Sequence, residues 1–223
     1  MKIQEERYRK IDEYLVRMLE ENKNINLTNI RDHDEAVILH IEDSLLGYDL
    51  FSRYCTGNYA DIGSGCGFPG VALAIAGNHD VDLVDSLAKK MKAVAKALSG
   101  VETGININTL STRIEDLANA RPGHYQFITA RALTALPSLI ELASPLLETG
   151  GYLLAYKSEK IDEEFEQAMQ IQELVGMEHV STSDVELAGA PRKLVLFKKA
   201  NEPEIVLPRR NGMAQKRPLK RKQ

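Results

Sequence analysis

Gly63, Gly65, Gly67 and Gly70 fall within eight residues, between an apolar stretch Tyr59-Ala60-Asp61-Ile62 and a second one from Val71 to Ala76. So dense a run does not belong inside a helix or a strand, because glycine loses the most freedom on ordering and gives no side chain to pack. It reads as a tight turn joining a strand to a helix. Glycines let the chain turn sharply and let backbone N–H groups approach a ligand, while the helix that follows favours a negatively charged group. The chain must therefore be a fold in which strand, turn and helix are consecutive and the turn faces a binding crevice.

The flanking sequence agrees. Tyr8, Ile11, Leu15 and Met18 recur at helical spacing with charged residues between them, which predicts an amphipathic helix. The asparagine-rich stretch from Asn22 to Thr28 ends it. A second helix is predicted from about Asp34 to Leu46, with Ile38, Ile41 and Leu45 inward and Gly47 closing it. Beyond the turn, strands are predicted at 81–85, 105–108, 125–129 and 152–156, with helices over 86–98, around Leu136 to Leu142, and over 162–174. Two further strands, at 178–180 and 194–197, have no long helical segment between them. Alternation of this kind means an α/β fold, a mostly parallel sheet with helices on both faces, and the last two strands pair as an antiparallel hairpin. One domain is expected over 1–223, divided into a helical cap (1–50), a core (58–200) and a basic tail (201–223).

Composition narrows the partners. At 43% hydrophobic, the 223-residue chain can bury a core, yet no apolar run approaches the ~20 residues of a membrane span. Cys55 and Cys66 are too few for a disulfide scaffold and form no metal-ligand spacing. The N-terminus from Met1 to Arg7 is charged and lacks the apolar region of a signal peptide. The expectation is a cytoplasmic monomer without metal. The net charge of −4 is uneven: from Pro208 onward Arg209, Arg210, Lys216, Arg217, Lys220, Arg221 and Lys222 meet no acid, so the rest of the chain holds a net −11. An acidic body with a basic tail suggests an anionic partner for the tail, nucleic acid first.

The turn can be read in two registers. From Gly65, Gly65-Cys66-Gly67-Phe68-Pro69-Gly70 satisfies the dinucleotide fingerprint, and Asp85 stands about 20 residues on, where such folds place a ribose-binding acid. From Asp61, the same stretch is an acid followed by glycines at alternate positions, which resembles the first motif of Rossmann-like methyltransferases. Gly63 directly against the strand end, and the charge at Asp61, favour the second register and hence S-adenosylmethionine. Asp85 suits the ribose hydroxyls of either cofactor.

Further segments give a closer resemblance. Asn26-Leu27-Thr28-Asn29-Ile30, His40-Ile41-Glu42-Asp43-Ser44-Leu45, the Phe68-Pro69-Gly70 ending of the turn and Asp85-Ser86-Leu87-Ala88-Lys89-Lys90 occur in order. They are followed by Thr112-Arg113-Ile114-Glu115, Thr129-Ala130-Arg131-Ala132, Gly150-Gly151 with Ala155-Tyr156-Lys157, and Pro208-Arg209-Arg210-Asn211-Gly212. From about Asn22 to Leu219 the chain resembles the glucose-inhibited division protein B family, guanine-N7 methyltransferases of bacterial small-subunit ribosomal RNA. It departs from that family's usual pattern at Lys90, where arginine is common, and at Ser158, where glycine is.

The resemblance implies a Rossmann-like class I methyltransferase with a seven-stranded sheet, S-adenosylmethionine as cofactor, and 16S ribosomal RNA, the 30S subunit or its precursor as partner. It implies that Gly63 and Phe68 line the cofactor pocket, together with Ser64, Gly65 and Gly67 of the same turn, and that Ile114 and Glu115 contact the adenine end. Arg131, directly after an apolar strand, is expected at the site for cofactor or substrate, because ligands bind at strand carboxyl ends in open α/β sheets. Lys157 holds the same place on a neighbouring strand. Asn26, Thr28 and His40 of the cap, and Lys89, Lys90, Arg209 and Arg210, are expected to meet the substrate, the cations through phosphate. Guanine N7 has a lone pair and no hydrogen, so no residue is expected to act as a general acid or base. Two rival readings stay open: a dinucleotide-dependent oxidoreductase, and a ribosome-assembly factor that binds RNA without catalysis.

Overall fold

The computed structural model describes residues 3–220. Of the terminal charges discussed above, Met1, Lys2, Arg221 and Lys222 lie outside the described residues. The chain opens with α1 (Glu5–Asn22) and a helical run made of α2 (His33–Ala36), a π-helical stretch (Val37–Glu42) and α3 (Asp43–Leu45), followed by α4 (Tyr48–Tyr54). Then come β1 (Tyr59–Ile62), α5 (Gly70–Gly77), β2 (Val81–Asp85), α6 (Ala88–Leu98), β3 (Ile107–Ser111), α7 (Ile114–Ala120) and β4 (Tyr125–Arg131). The remainder is α8 (Leu136–Ala143), β5 (Leu147–Ser158), α9 (Asp162–Ile171), β6 (Met177–Leu187), β7 (Ala190–Lys199) and α10 (Met213–Lys216).

The strands form one sheet of seven in the order β3-β2-β1-β4-β5-β7-β6. The first five run parallel, and β7 is antiparallel to both of its neighbours. All four residues of β1 are buried, as a central strand covered on both faces requires, whereas β6 at the edge alternates exposed and half-buried residues along most of its length. Two apolar clusters cover the faces. One joins α1, the cap, α5 and α6 through Ile11, Leu15, Leu73 and Val94. The other joins α7, α8 and α9 through Leu117, Leu139 and Ile171. Among the described residues no helix is long and apolar enough to cross a membrane.

Several predicted boundaries shift: β5 starts at Leu147 and takes in Gly150-Gly151, α9 ends at Ile171, and β6 and β7 run longer than expected. Three further differences have a local reason. Strand β3 begins two residues later than the alternation suggested, because Thr103 Oγ1 bonds the Ile105 carbonyl and Asp80 takes the Asn106 backbone N–H. The cap helix is present but passes through the π-helical stretch. Gly47 does not end the helical region: its φ is −84°, and α4 follows at once. Its glycine is required instead by close approach, since a Cβ there would lie 2.1 Å from Tyr156 Oη, which donates to the Ser44 carbonyl at 2.6 Å.

At the centre of the sheet Asp61 joins three elements. Its Oδ1 accepts from Thr129 Oγ1 of β4 at 2.7 Å, and its Oδ2 accepts from the Gly70 N–H at the head of α5 at 3.1 Å. Burial pushes this carboxyl up to about 7, against the pull of the hydrogen bonds from Thr129 and Gly70. Removing it leaves the Gly70 N–H unpaired in a dry interior and leaves Thr129 Oγ1 with Tyr59 Oη alone. Asp61→Ala is expected to lower stability by about 2–4 kcal/mol, and Asp61→Asn, which keeps an acceptor oxygen, by less than half of that. Urea unfolding checks this; equal midpoints for wild type and Asp61→Ala would contradict it.

Candidate active site

The glycine turn leaves β1 in the left-handed region, with φ of +69° at Gly63, +54° at Gly65 and +92° at Gly67. Side chains are excluded at two of these positions by contact as well: a Cβ on Gly63 would meet Leu133 at 2.5 Å, and one on Gly67 would meet Tyr14 Oη at 2.4 Å. Gly65 is different, because the nearest atom to its virtual Cβ is a backbone oxygen 3.9 Å away. The turn is pinned to β2, where Gly63 and Ser64 donate their N–H groups to the Val84 carbonyl. From α1, Tyr14 Oη donates to the Cys66 carbonyl at 2.7 Å.

Asp85 ends β2 beside this turn. Its Oδ2 accepts from Gly65 N–H at 3.1 Å and its Oδ1 from Leu87 N–H at 2.9 Å. Two backbone donors therefore fix the orientation of the carboxylate, and each oxygen keeps acceptor capacity for a ligand. Asp85 borders two cavities. A cleft of about 740 Å³ extends over Ser64, Gly65, Cys66 and Phe68 towards the cap, β4 and β7. A smaller slot of about 120 Å³ lies on the other side, against Ile114 and Glu115. Gly63, Asp85 and Leu133 line both. The site thus sits at the carboxyl ends of β1, β2 and β4, beside the strand where chain order reverses direction across the sheet. A dinucleotide fold would use the same crevice, so its position alone does not choose the cofactor.

The cap closes one side of the larger cleft through a buried ionic network. Arg131 donates to Asp43 Oδ2 at 2.6 Å and to the Leu39 carbonyl of the π-helical stretch at 3.0 Å. Its other terminal nitrogen lies 3.2 Å from His40 Nδ1. Arg192 of β7 donates to the second oxygen of Asp43. The His40 ring stacks on Phe68, with centroids 5.3 Å apart and planes at 12°, and its Nε2 lies 3.2 Å from Thr28 Oγ1. Because Arg131 can only donate, Nδ1 must accept, and the His40 proton resides on Nε2 facing Thr28.

The other expected site residues divide. Thr28, His40, Ser64, Gly65, Phe68, Lys90, Arg131 and Lys157 border the large cleft, and Ile114 and Glu115 the small slot. Gly67 borders neither cavity, and a Cβ on it would meet Tyr14. Asn26 and Lys89 are exposed and border neither cavity; Leu27 and Thr28, held by the Asn22 side chain, occupy the place expected of Asn26. The Lys157 ammonium is committed to Glu164 at 2.8 Å and to the Thr134 carbonyl, so it fastens the loop after β4 rather than awaiting a phosphate. Arg209 forms a two-pronged pair with the buried Glu141, both contacts at 2.7 Å. Arg210 is exposed. Glu115 is buried, and its carboxylate accepts the Gly212 N–H at 2.6 Å.

Sequence reading missed Leu133, Arg192, Lys193 and Gln215, all of which line these cavities. Two consecutive cations entering the apolar strand 194–197 were the available signal for Arg192 and Lys193. Their approach to the cleft becomes visible only once β7 is paired against β5. Among the described residues no three His, Cys, Asp or Glu side chains cluster as a metal site.

Burial, and then the charge of Arg131, push the His40 imidazole down to about 4. The unfolded chain takes up this proton near pH 6.5, so between pH 6.5 and 4 it binds more protons than the folded one. Stability is therefore expected to fall by up to about 3 kcal/mol across that window and to gain nothing from His40 above it. His40→Asn, which keeps an acceptor for Arg131 but does not titrate, should flatten this limb in urea unfolding measured from pH 4 to 7. An unchanged limb would refute the assignment.

Comparison with known proteins agrees with the geometry. The sequence pattern of the family described as rRNA small subunit methyltransferase G matches residues 7–195. A ribosomal RNA small subunit methyltransferase G from Desulfitobacterium hafniense is 34% identical, over 92% of this chain and 87% of that protein. One from Pseudothermotoga lettingae is 31% identical, over 98% and 95%. Among solved structures, an rRNA methylase from Streptococcus thermophilus superimposes with a TM-score of 0.51 at 17% identity, covering 70% of this chain and 95% of that one, a likeness of fold. The chain belongs to the rRNA small subunit methyltransferase G family.

Proposed function

We propose that this protein transfers a methyl group from S-adenosylmethionine to N7 of a guanine in 16S ribosomal RNA, acting as one unit made of cap, core and tail. The observation that supports the cofactor is the Asp85 carboxylate, oriented by the Gly65 and Leu87 N–H groups at the junction of two cavities. A ribose diol held there would point its two substituents into the large cleft and the small slot. The Asp61 register of the turn favours this cofactor over a dinucleotide. The cofactor supplies, when bound, a methyl group on a positively charged sulfur. The N7 target rests on family membership.

The residues of the chain divide the work. Asp85 accepts from the ribose hydroxyls, and the turn from Gly63 to Phe68 shapes the floor of the cleft. Guanine N7 attacks with its own lone pair and sheds no proton, so catalysis consists of holding N7 in line and keeping water out, which can supply as much as ~7–11 kcal/mol. Phe68, Leu133 and Tyr156 supply apolar walls for that task. Arg131, fixed by Asp43 and the Leu39 carbonyl, holds the cap over the site. Lys90 sets a positive border where an RNA backbone would lie, Arg192 being paired with Asp43 and Lys193 with Asp184. Substrate RNA alone, a precursor and the assembled subunit would all present that backbone to the same border. A cytoplasmic, monomeric protein is the setting this reading assumes.

Labelled methyl groups should pass to small-subunit RNA from cells lacking this protein, and the modified base should map to guanine N7. Failure of transfer despite cofactor binding would favour an assembly factor, and binding of NAD in place of S-adenosylhomocysteine would favour an oxidoreductase. Asp85→Ala is expected to weaken S-adenosylhomocysteine binding by about 10- to 100-fold in calorimetry, from the loss of charged hydrogen bonds. Arg131→Ala should abolish transfer and also cost about 3 kcal/mol of stability, because Asp43 is then left with Arg192 alone. Arg131→Lys should recover part of the stability and little of the transfer.

A further inference from the structure

We infer that Gln215, presented by the C-terminal segment, recognises the adenine of the cofactor, an assignment that rests on the S-adenosylmethionine reading above. The segment from Arg209 to Leu219 returns across α7 and α8 and is anchored at successive points. Arg209 grips Glu141, Asn211 Nδ2 donates to Asp116 Oδ1 at 3.0 Å, and the Gly212 N–H donates to Glu115. Ser138 Oγ donates to the carbonyl of Ala214, which is itself buried. A short helical turn, α10, is thereby held against the body of the protein, with Gln215 next in sequence to the buried Ala214.

Gln215 borders the small slot, together with Asp85, Ser86, Ile114 and Glu115. That slot shares Gly63, Asp85 and Leu133 with the large cleft. A nucleoside whose ribose rests on Asp85 and whose other arm lies over the glycine turn has only the slot left for its base. The polar groups there are unequal. Glu115 holds Gly212 through one oxygen and its carboxylate offers acceptors only, Asp85 faces the ribose, and Arg113 offers donors only. The Ser86 and Thr112 hydroxyls are single atoms that cannot span two neighbouring groups of a base. The Gln215 side chain, exposed and without a hydrogen bond among the described residues, carries an acceptor and two donors side by side. This is the complement of the adenine edge, where the 6-amino group donates and the adjacent ring nitrogen accepts. Glu115, which sequence reading placed on the adenine, is on this view a positioning residue that acts through the segment it holds.

The test uses the full chain, calorimetry, S-adenosylhomocysteine and its analogue with hydrogen in place of the 6-amino group, because an unanchored glutamine amide can turn over and pair with a 6-oxo base as well. Wild type should prefer the adenosyl ligand by about tenfold, one good hydrogen bond. Gln215→Leu should lose about tenfold or more for the adenosyl ligand and at most about threefold for the deamino one, so that the preference narrows. Glu115→Ala should reduce the preference by freeing the segment, and Glu115→Gln, which keeps an acceptor for Gly212, should restore it. A preference unchanged in Gln215→Leu overturns the inference. So does an equal loss for both ligands, which would make Gln215 a wall and not a reader. Failure of wild type to bind either ligand would overturn the cofactor reading itself, a result distinct from both.

Discussion

The buried carboxylate of Asp61 is the point on which the site is built. It sits on the central strand, wholly removed from water, and binds both the adjacent strand β4 through Thr129 and the first N–H of α5 at Gly70. Desolvation opposes a charge there strongly enough to raise the carboxyl to about 7 even with two hydrogen bonds to offset it. That cost is tolerated because Gly63, Gly65 and Gly67 have no side chains to fix the path of the turn, which is held at its ends and at Phe68. With its ends tied by one side chain, and Gly63 and Ser64 tied to β2, the turn can keep three left-handed glycines in place. Asp61 borders neither cavity. Its contribution to binding is to the shape of the turn, not to direct contact.

A second ionic group does for the cap what Asp61 does for the turn. Asp43 lies between Arg131 and Arg192, so the N-terminal helices are tied at one point to β4 and β7, elements far apart in sequence. Replacing such a group by apolar residues often costs nothing, but removing one member leaves a buried charge uncompensated. The geometry gives the network a use that an apolar patch lacks. It fixes the His40 tautomer and keeps the ring flat on Phe68, and it draws a carbonyl of the π-helical stretch onto Arg131. Departures from regular helix of this kind are frequent at functional sites. Here the departure lines up with the cleft.

Much of this fold was legible because it rests on short-range pattern. The strand, turn and helix from Tyr59 to Ala76, the acid ending β2 and the periodic helix from Ala88 to Leu98 follow from residue types a few positions apart. What was misread depended on contacts across the chain. Gly47 has the look of a helix terminator, and only the Tyr156 hydroxyl, lying where a Cβ would stand, shows why no side chain fits. Helix α4 was hidden behind that misreading. The π-helical stretch has the same apolar spacing as an ordinary helix at this length, so periodicity could not reveal it. The late start of β3 reflects Asp80 reaching across to Asn106.

The cations show the same limit in the site. Sequence places Arg209 and Arg210 side by side in a basic run, and nothing local distinguishes them. In the fold Arg209 meets a carboxylate buried to 2% exposure, whose geometry matches both prongs of its guanidinium, while Arg210 faces solvent. Lys157 and Lys90 separate in the same way, the first committed to Glu164 and the second at the cleft border. A charge run therefore reports the sign of the surface, but which members remain available to a phosphate depends on which carboxylates the fold brings within reach. The C-terminal segment is the clearest case. Its charge suggested an arm extended towards nucleic acid, yet Arg209, Asn211 and Gly212 turn inward to Glu141, Asp116 and Glu115. Those three acids, on helices that flank the small slot, convert part of a basic tail into a wall of that slot and leave Arg210, Lys216, Arg217 and Lys220 on its outer side.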